Sequence, residues 1–236
     1  MMMMFDPLYL LMTAPAVAFS MWAQYRVTST FKRYSQVGVR SGMTGAQAAA
    51  AVMRAGGVSG VTIERHQGFL SDHYDPKAKA LRLSPEVYDG RSVSSVAVAA
   101  HEAGHSIQDA KGYAPLYLRS HLVPLSNIGN RLWFLPFLVG SVLAYSQSTI
   151  GPLLMAVGVV MFAAVVLFQL VTLPTEFDAS NRAKAVLAQS GIVSTQEEAL
   201  GVSKVLGAAA MTYVAAAAAG VLQLIYLILQ TQRSRN

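Results

Sequence analysis

His101-Glu102-Ala103-Gly104-His105 places two imidazoles four residues apart, with a carboxylate beside the first. On an α-helix, residues four apart share a face with Cβ atoms about 5–6 Å apart, so both rings can reach one metal ion. Zinc suits such donors and lowers the pKa of bound water to about 7. Glu102 then stands beside the open coordination position, where a carboxylate can take a proton from water and deliver it to a leaving amine. The pattern supports zinc-assisted hydrolysis.

A helix must carry these groups. The apolar run 96–100 leads into the motif, and Ser92 or Ser94 can cap a helix over residues 91–110. Catalytic zinc takes three protein ligands plus water, so a third ligand is required. The chain has no cysteine, which leaves His or carboxylate and removes disulfides from consideration. The long-spaced metzincin pattern needs Gly at 108 and His at 111, where this chain has Gln108 and Lys111. The remaining candidates are Glu176, Asp109, Asp178, His66, His73 and His121. Glu176 is favoured, because it begins a helix where an apolar hairpin returns the chain to the side of His101 and His105. Asp109, one turn beyond His105, reads as a solvated helix-end acid whose loss spares metal and activity. Asp178 lies about 200° around the helix from Glu176, so its loss should also spare the metal. His66, His73 and His121 read singly as surface or packing histidines.

Hydrophobic residues make up 53% of the 236 residues and charged ones 13%, which is too apolar for a soluble domain. Stretches without charge at 7–25, 132–175 and 205–232 accommodate about four transmembrane helices at roughly 20 residues per bilayer core. The middle stretch holds two, turning at 146–152. Arg26, Lys32 and Arg33 follow the first stretch, which marks an uncleaved anchor rather than a signal peptide. Thirteen of the 18 Lys and Arg lie from Arg26 to Arg131, three between the third and fourth spans, and Arg233 and Arg235 after the last. The positive-inside rule puts both larger polar segments in the cytoplasm, apart from the two tail arginines. The expected location is the plasma (inner) membrane, multi-pass, with the site facing the cytoplasm. The net charge of +6 serves topology and contact with the lipid bilayer, and without a basic cluster interleaved with aromatics it argues against nucleic acid.

The expected architecture is a mainly α integral membrane protein. An anchor (1–25) precedes a cytoplasmic α+β domain (26–131) and a transmembrane hairpin (132–175). A segment (176–204) with the third ligand and the start of the next helix follows, then a C-terminal span and tail (205–236). Thr44-Gly45-Ala46-Gln47 is a capping box for a helix that runs to Arg54 and ends at Gly56-Gly57. Residues 61–65 read as a strand, and Asp75-Pro76-Lys77-Ala78 as a hairpin turn. Residues 80–83 alternate like an exposed edge strand, along which a bound peptide would add as a further strand. Pro174 and Thr175 open a helix over 176–189, closed by Ser190-Gly191. Ser194-Thr195-Gln196-Glu197 reads as a second capping box, starting a helix that continues into the last span.

Taken together, His73-Tyr74-Asp75-Pro76, Leu81-Arg82-Leu83-Ser84, Val87-Tyr88, Gly90-Arg91-Ser92, the His101 to His105 motif, Ala114-Pro115-Leu116 and Leu173-Pro174-Thr175-Glu176-Phe177-Asp178-Ala179-Ser180 resemble the YugP-type bacterial family of membrane-bound neutral zinc metallopeptidases. The resemblance extends over residues 42–182 and includes the span layout. More distantly, the layout is similar to the HtpX and Ste24 membrane proteases. The likeness implies a zincin-like domain holding one Zn2+, with His101, His105 and Glu176 as ligands and Glu102 as general base, a gluzincin-like arrangement. Those proteases have Asp four residues after the ligand glutamate, where this chain has Ser180, whose hydroxyl can accept a ring N–H but brings no charge.

An oxyanion needs a donor, and His73, Tyr74, Tyr113, His121 and Arg182 are all chemically able; Arg182 can equally pair with Asp178 at i, i+4. The function this predicts is a membrane zinc endopeptidase acting on polypeptides, including membrane-associated or misfolded ones. The alternative is a non-catalytic zinc-stabilised membrane scaffold or regulator, in which Glu102 has no role. An intramembrane-cleaving protease is disfavoured, since the motif lies between Arg91 and Lys111 and no span carries a Leu-Asp-Gly ligand motif.

Overall fold

The computed structural model describes residues 6–68 and 71–234. The start of the expected anchor and Arg235 lie outside the described residues. The elements are α1 (Pro7–Tyr34), α2 (Gly45–Ala55), β1 (Thr62–Arg65), β2 (His73–Asp75), β3 (Ala80–Leu83), α3 (Pro85–Tyr88), α4 (Val93–Ala110), α5 (Ala114–Leu132), α6 (Phe134–Tyr145), α7 (Ile150–Gln189) and α8 (Gln196–Arg233). They form two compact units, and the divisions fall inside α1, α5, α7 and α8.

One unit comprises Ala23–Tyr117 and Pro174–Thr212. Its centre is α4, which Ser92 caps by accepting from the Ser95 N–H at 3.1 Å. Small and β-branched residues on several faces of α4, among them Val93, Val96, Ala97, Ala100 and Ala103, are fully buried, so neighbours can approach it from several sides. Helix α2 packs there through Ala48, Ala49 and Val52, and its start is fixed by the reciprocal Thr44–Gln47 capping box.

The sheet order is β1-β3-β2, with β1 parallel and β2 antiparallel to β3. This corrects the edge-strand expectation. Residues 80–83 form the central strand, and Ala80, Leu81 and Leu83 are buried. Arg82, the polar residue that suggested exposure, is bonded to Glu64 and Asp75 on the flanking strands. A central strand has no free edge on which a peptide could pair, and the outer strand bonded to Glu102 of α4 is β2.

Two helix starts also differ. Pro174 does not open a helix but lies inside the 40-residue α7. In a long apolar helix the backbone has no better partner than itself, so a proline is tolerated there. The second capping box is one residue later than expected. Thr195 Oγ1 accepts from the Glu198 N–H at 3.1 Å, and Glu198 Oε2 accepts from the Thr195 N–H at 3.0 Å. The continuous run into the last apolar segment is present.

The other unit holds residues up to Trp22, Leu118–Leu173 and the chain from Tyr213. Within it, Phe137, Met155, Phe162, Val165, Tyr226 and Leu227 form an apolar cluster. Among the described residues two helices, α7 and α8, are long and apolar enough to cross a membrane. The α5–α6 pair, bent by 42° around Trp133, is a third if counted as one broken span.

Candidate metal centre

His101 and His105 stand one turn apart on α4, ring centroids 4.8 Å apart and planes at 80°. Glu176 arrives from α7 with its Oε2 3.1 Å from His101 Nε2 and 3.6 Å from His105 Nε2. One donor atom from each lies within 4.8 Å of the other two, and among the described residues this is the one His/Asp/Glu group so placed. Two imidazole nitrogens and a carboxylate oxygen converging on one point, in a buried setting, fit the donor set of zinc.

Gly104 makes the convergence possible. A Cβ there would lie 2.6 Å from the Ala179 carbonyl oxygen, so the backbone of α7 rests directly on α4 beside His105. Glu176, nearly one turn before Ala179, is thereby level with the two rings.

Each imidazole is held from behind. His101 Nδ1 is 3.1 Å from Ser180 Oγ, and His105 Nδ1 is 3.0 Å from Gln108 Oε1. Gln108 Nε2 donates to the Thr175 carbonyl and to Asp178 Oδ2, both at 2.8 Å, and Arg182 Nε donates to the same Asp178 oxygen at 2.5 Å. The Gln108 oxygen can only accept, so His105 carries its hydrogen on Nδ1 and keeps the Nε2 lone pair for a metal; at His101 the Ser180 hydroxyl is able to accept the Nδ1 hydrogen and leave Nε2 likewise. Asp178 therefore stays out of the donor cluster, as its helical angle predicts, yet it anchors the amide that holds His105. Sequence reading used Gln108 only to exclude another ligand pattern; its i+3 spacing from His105 was the available signal.

Glu102 is buried, and its Oε2 accepts from the Tyr74 backbone N–H on β2 at 3.1 Å. Burial pushes its carboxyl above the ordinary value, while the two histidines oppose that shift. For His105 burial disfavours the charge, but Glu176 and Glu102 outweigh it and raise its pKa.

The expected oxyanion donors are scattered. The Tyr74 hydroxyl donates to Asp109 Oδ2 at 2.6 Å. His73 Nδ1 donates to the Ser71 carbonyl, and its ring meets His66 edge-on at 5.5 Å. Arg182 pairs with Asp178 and lies 5.7 Å from the Tyr113 ring centroid. His121 is exposed on α5 in the apolar unit. Asp109 is no solvated helix-end acid. It is 8% exposed and bound by Lys79, Tyr74 and Tyr117, because the turn after β2 and the start of α5 close over the end of α4.

The chain is 42% identical over 222 residues, 94% of its length and 96% of the relative's, to a Bacillus subtilis (strain 168) protein described as "Putative membrane protease YugP". No solved structure matches. Residues 9–232 match the family described as "Putative neutral zinc metallopeptidase", and the chain belongs to that family.

Proposed function

We propose that this protein is a membrane-embedded zinc endopeptidase, in which His101, His105 and Glu176 hold one Zn2+ and Glu102 is the general base. The observation that carries this reading is Glu102 buried beside a cluster that, among the described residues, offers three metal-binding groups. A structural zinc site is closed by four protein groups, whereas three leave a position for water and substrate. The scaffold alternative gives no task to a buried carboxylate at that position.

Bound zinc would supply an acidified water and polarise the scissile carbonyl. The protein's own groups do the rest. Ser180 and Gln108 fix the rings of His101 and His105, and Glu102 accepts the proton that the attacking water loses. From the same position Glu102 can return that proton to the departing amine. The outer edge of β2 lies next to Glu102, and a substrate in extended form would lie along it, since β3 is enclosed.

Polypeptides, including membrane-associated or misfolded ones, are the proposed substrates. In this reading α1 and the α5–α6 pair join α7 and α8 as four spans in the plasma (inner) membrane, with the site on the cytoplasmic side. The test is Glu102→Gln in purified protein. Casein hydrolysis should fall by about 10³-fold or more with zinc content near wild type, because the amide removes the base and touches no ligand. Unchanged turnover would remove the general-base assignment.

A further inference from the structure

Asp109 is bound more heavily than helix termination requires. Its Oδ2 accepts from the Tyr74 hydroxyl and from Lys79 Nζ, both at 2.6 Å, and the Tyr117 hydroxyl lies 3.2 Å from Oδ1. These partners come from β2, from the turn after it and from α5. Burial alone would raise the Asp109 carboxyl, but Lys79 and the two hydroxyls hold it below the ordinary range.

Two further observations show which part of the molecule this arrangement controls. Lys79 has φ 51°, a left-handed conformation that glycine adopts at less cost, and from there it places its ammonium on Asp109. A cavity of about 290 Å³ is lined by Tyr74, Lys79, Ser106 and Asp109 together with residues 58–61 ahead of β1. Beside it Tyr74 packs on the apolar core and pairs with Leu81 of β3, and the bonds of Tyr74 and Lys79 to Asp109 add a polar tie from β2 and its turn to the end of α4. The same residue, Tyr74, presents its backbone N–H to Glu102 Oε2.

We propose that Asp109 is a positioning residue, clamping β2 through Tyr74 and Lys79 so that the strand edge holds Glu102 in its working orientation. This rests on the peptidase reading for its kinetic consequence, but the clamp itself is a property of the free protein. The side chain of Tyr74 is the link: its hydroxyl answers to Asp109 and its backbone to Glu102. Misplacing a reacting group by as little as 1 Å costs up to about 10²-fold in rate, so a loosened strand should be visible in turnover.

The experiment compares full-length wild type with Tyr74→Phe, Asp109→Ala and the double variant in detergent. Zinc content, amide hydrogen exchange over β2, and kcat and KM on casein-derived peptide are measured. Each single variant should lower kcat about tenfold, with KM and zinc content unchanged, and should speed exchange over residues 73–75. The double variant should be no worse than Asp109→Ala alone, since losing Asp109 already removes the contact that Tyr74→Phe removes. Asp109→Glu, which keeps the charge, should recover part of the loss. Wild-type exchange and kcat in Tyr74→Phe, or additive losses in the double variant, would overturn the clamp. Tyr74→Phe removes a single oxygen and decides the matter even where Asp109→Ala fails to fold. If the wild type left casein uncut, the peptidase reading would fail alone, because exchange over β2 still tests the clamp.

Discussion

Gln108 dictates which nitrogen of His105 carries the proton. Its amide nitrogen faces two acceptors, the Thr175 carbonyl and Asp178 Oδ2, so its oxygen must be the atom 3.0 Å from His105 Nδ1. A carbonyl oxygen can only accept, which assigns the hydrogen to Nδ1 and the free lone pair to Nε2. Gln108→Ala should then weaken zinc binding about 10- to 100-fold in a chelator competition titration, with Ser180→Ala having a similar effect through His101. Affinity unchanged in both variants would mean that the rings are oriented by packing alone.

Glu176→Ala should lose most bound zinc and all hydrolysis, since two imidazoles alone make a weak site. Gly104→Val gives an independent approach to the same point. Its side chain would meet the Ala179 carbonyl, where even a Cβ comes to 2.6 Å, and would push α7 with Glu176 off the histidines. Metal analysis of purified Gly104→Val should therefore read as low as Glu176→Ala. A Gly104→Val protein with full zinc would show that the helices can part without opening the site.

What was legible in the sequence is local geometry. The i, i+4 spacing of His101 and His105 is enough to put both rings on one helix face, and the Thr44–Gln47 box marks its helix start because all its atoms lie within one turn. What was not legible depends on tertiary packing. Residues 80–83 alternate like an edge strand, but β1 pairs on their far side. Asp109 looks like a solvated acid until Lys79, Tyr74 and Tyr117, 30, 35 and 8 residues away, close over it. Gln108 acquires its role only once α7 brings Asp178 and Thr175 to it.

Acid should release the Asp109 contacts. A carboxylate whose folded pKa is depressed contributes stability that is fully present above its unfolded value, about 3.9, and is lost as pH falls through the lower folded value. The difference in thermal midpoint between wild type and Asp109→Asn should therefore be constant from pH 7 to about 5 and shrink below about 4. A difference that stayed the same down to pH 3 would mean that the charge on Asp109 contributes nothing to the fold.

Orientation in the membrane can be read with single cysteines, because the chain has none of its own. Ser148 lies in the short turn between α6 and α7, a turn that carries no Lys or Arg. Ser71 lies just before β2, in the segment that holds most of the basic residues. Lys and Arg are retained on the cytoplasmic side, so the two positions should fall on opposite faces of the bilayer. Ser148→Cys should react with an impermeant thiol reagent on intact cells, and Ser71→Cys only after lysis. Because Ser71 belongs to the same compact unit as His101, His105 and Glu176, its accessibility also reports the side on which the site works. Reaction of Ser71→Cys on intact cells would place that site outside the cytoplasm and reverse the proposed topology.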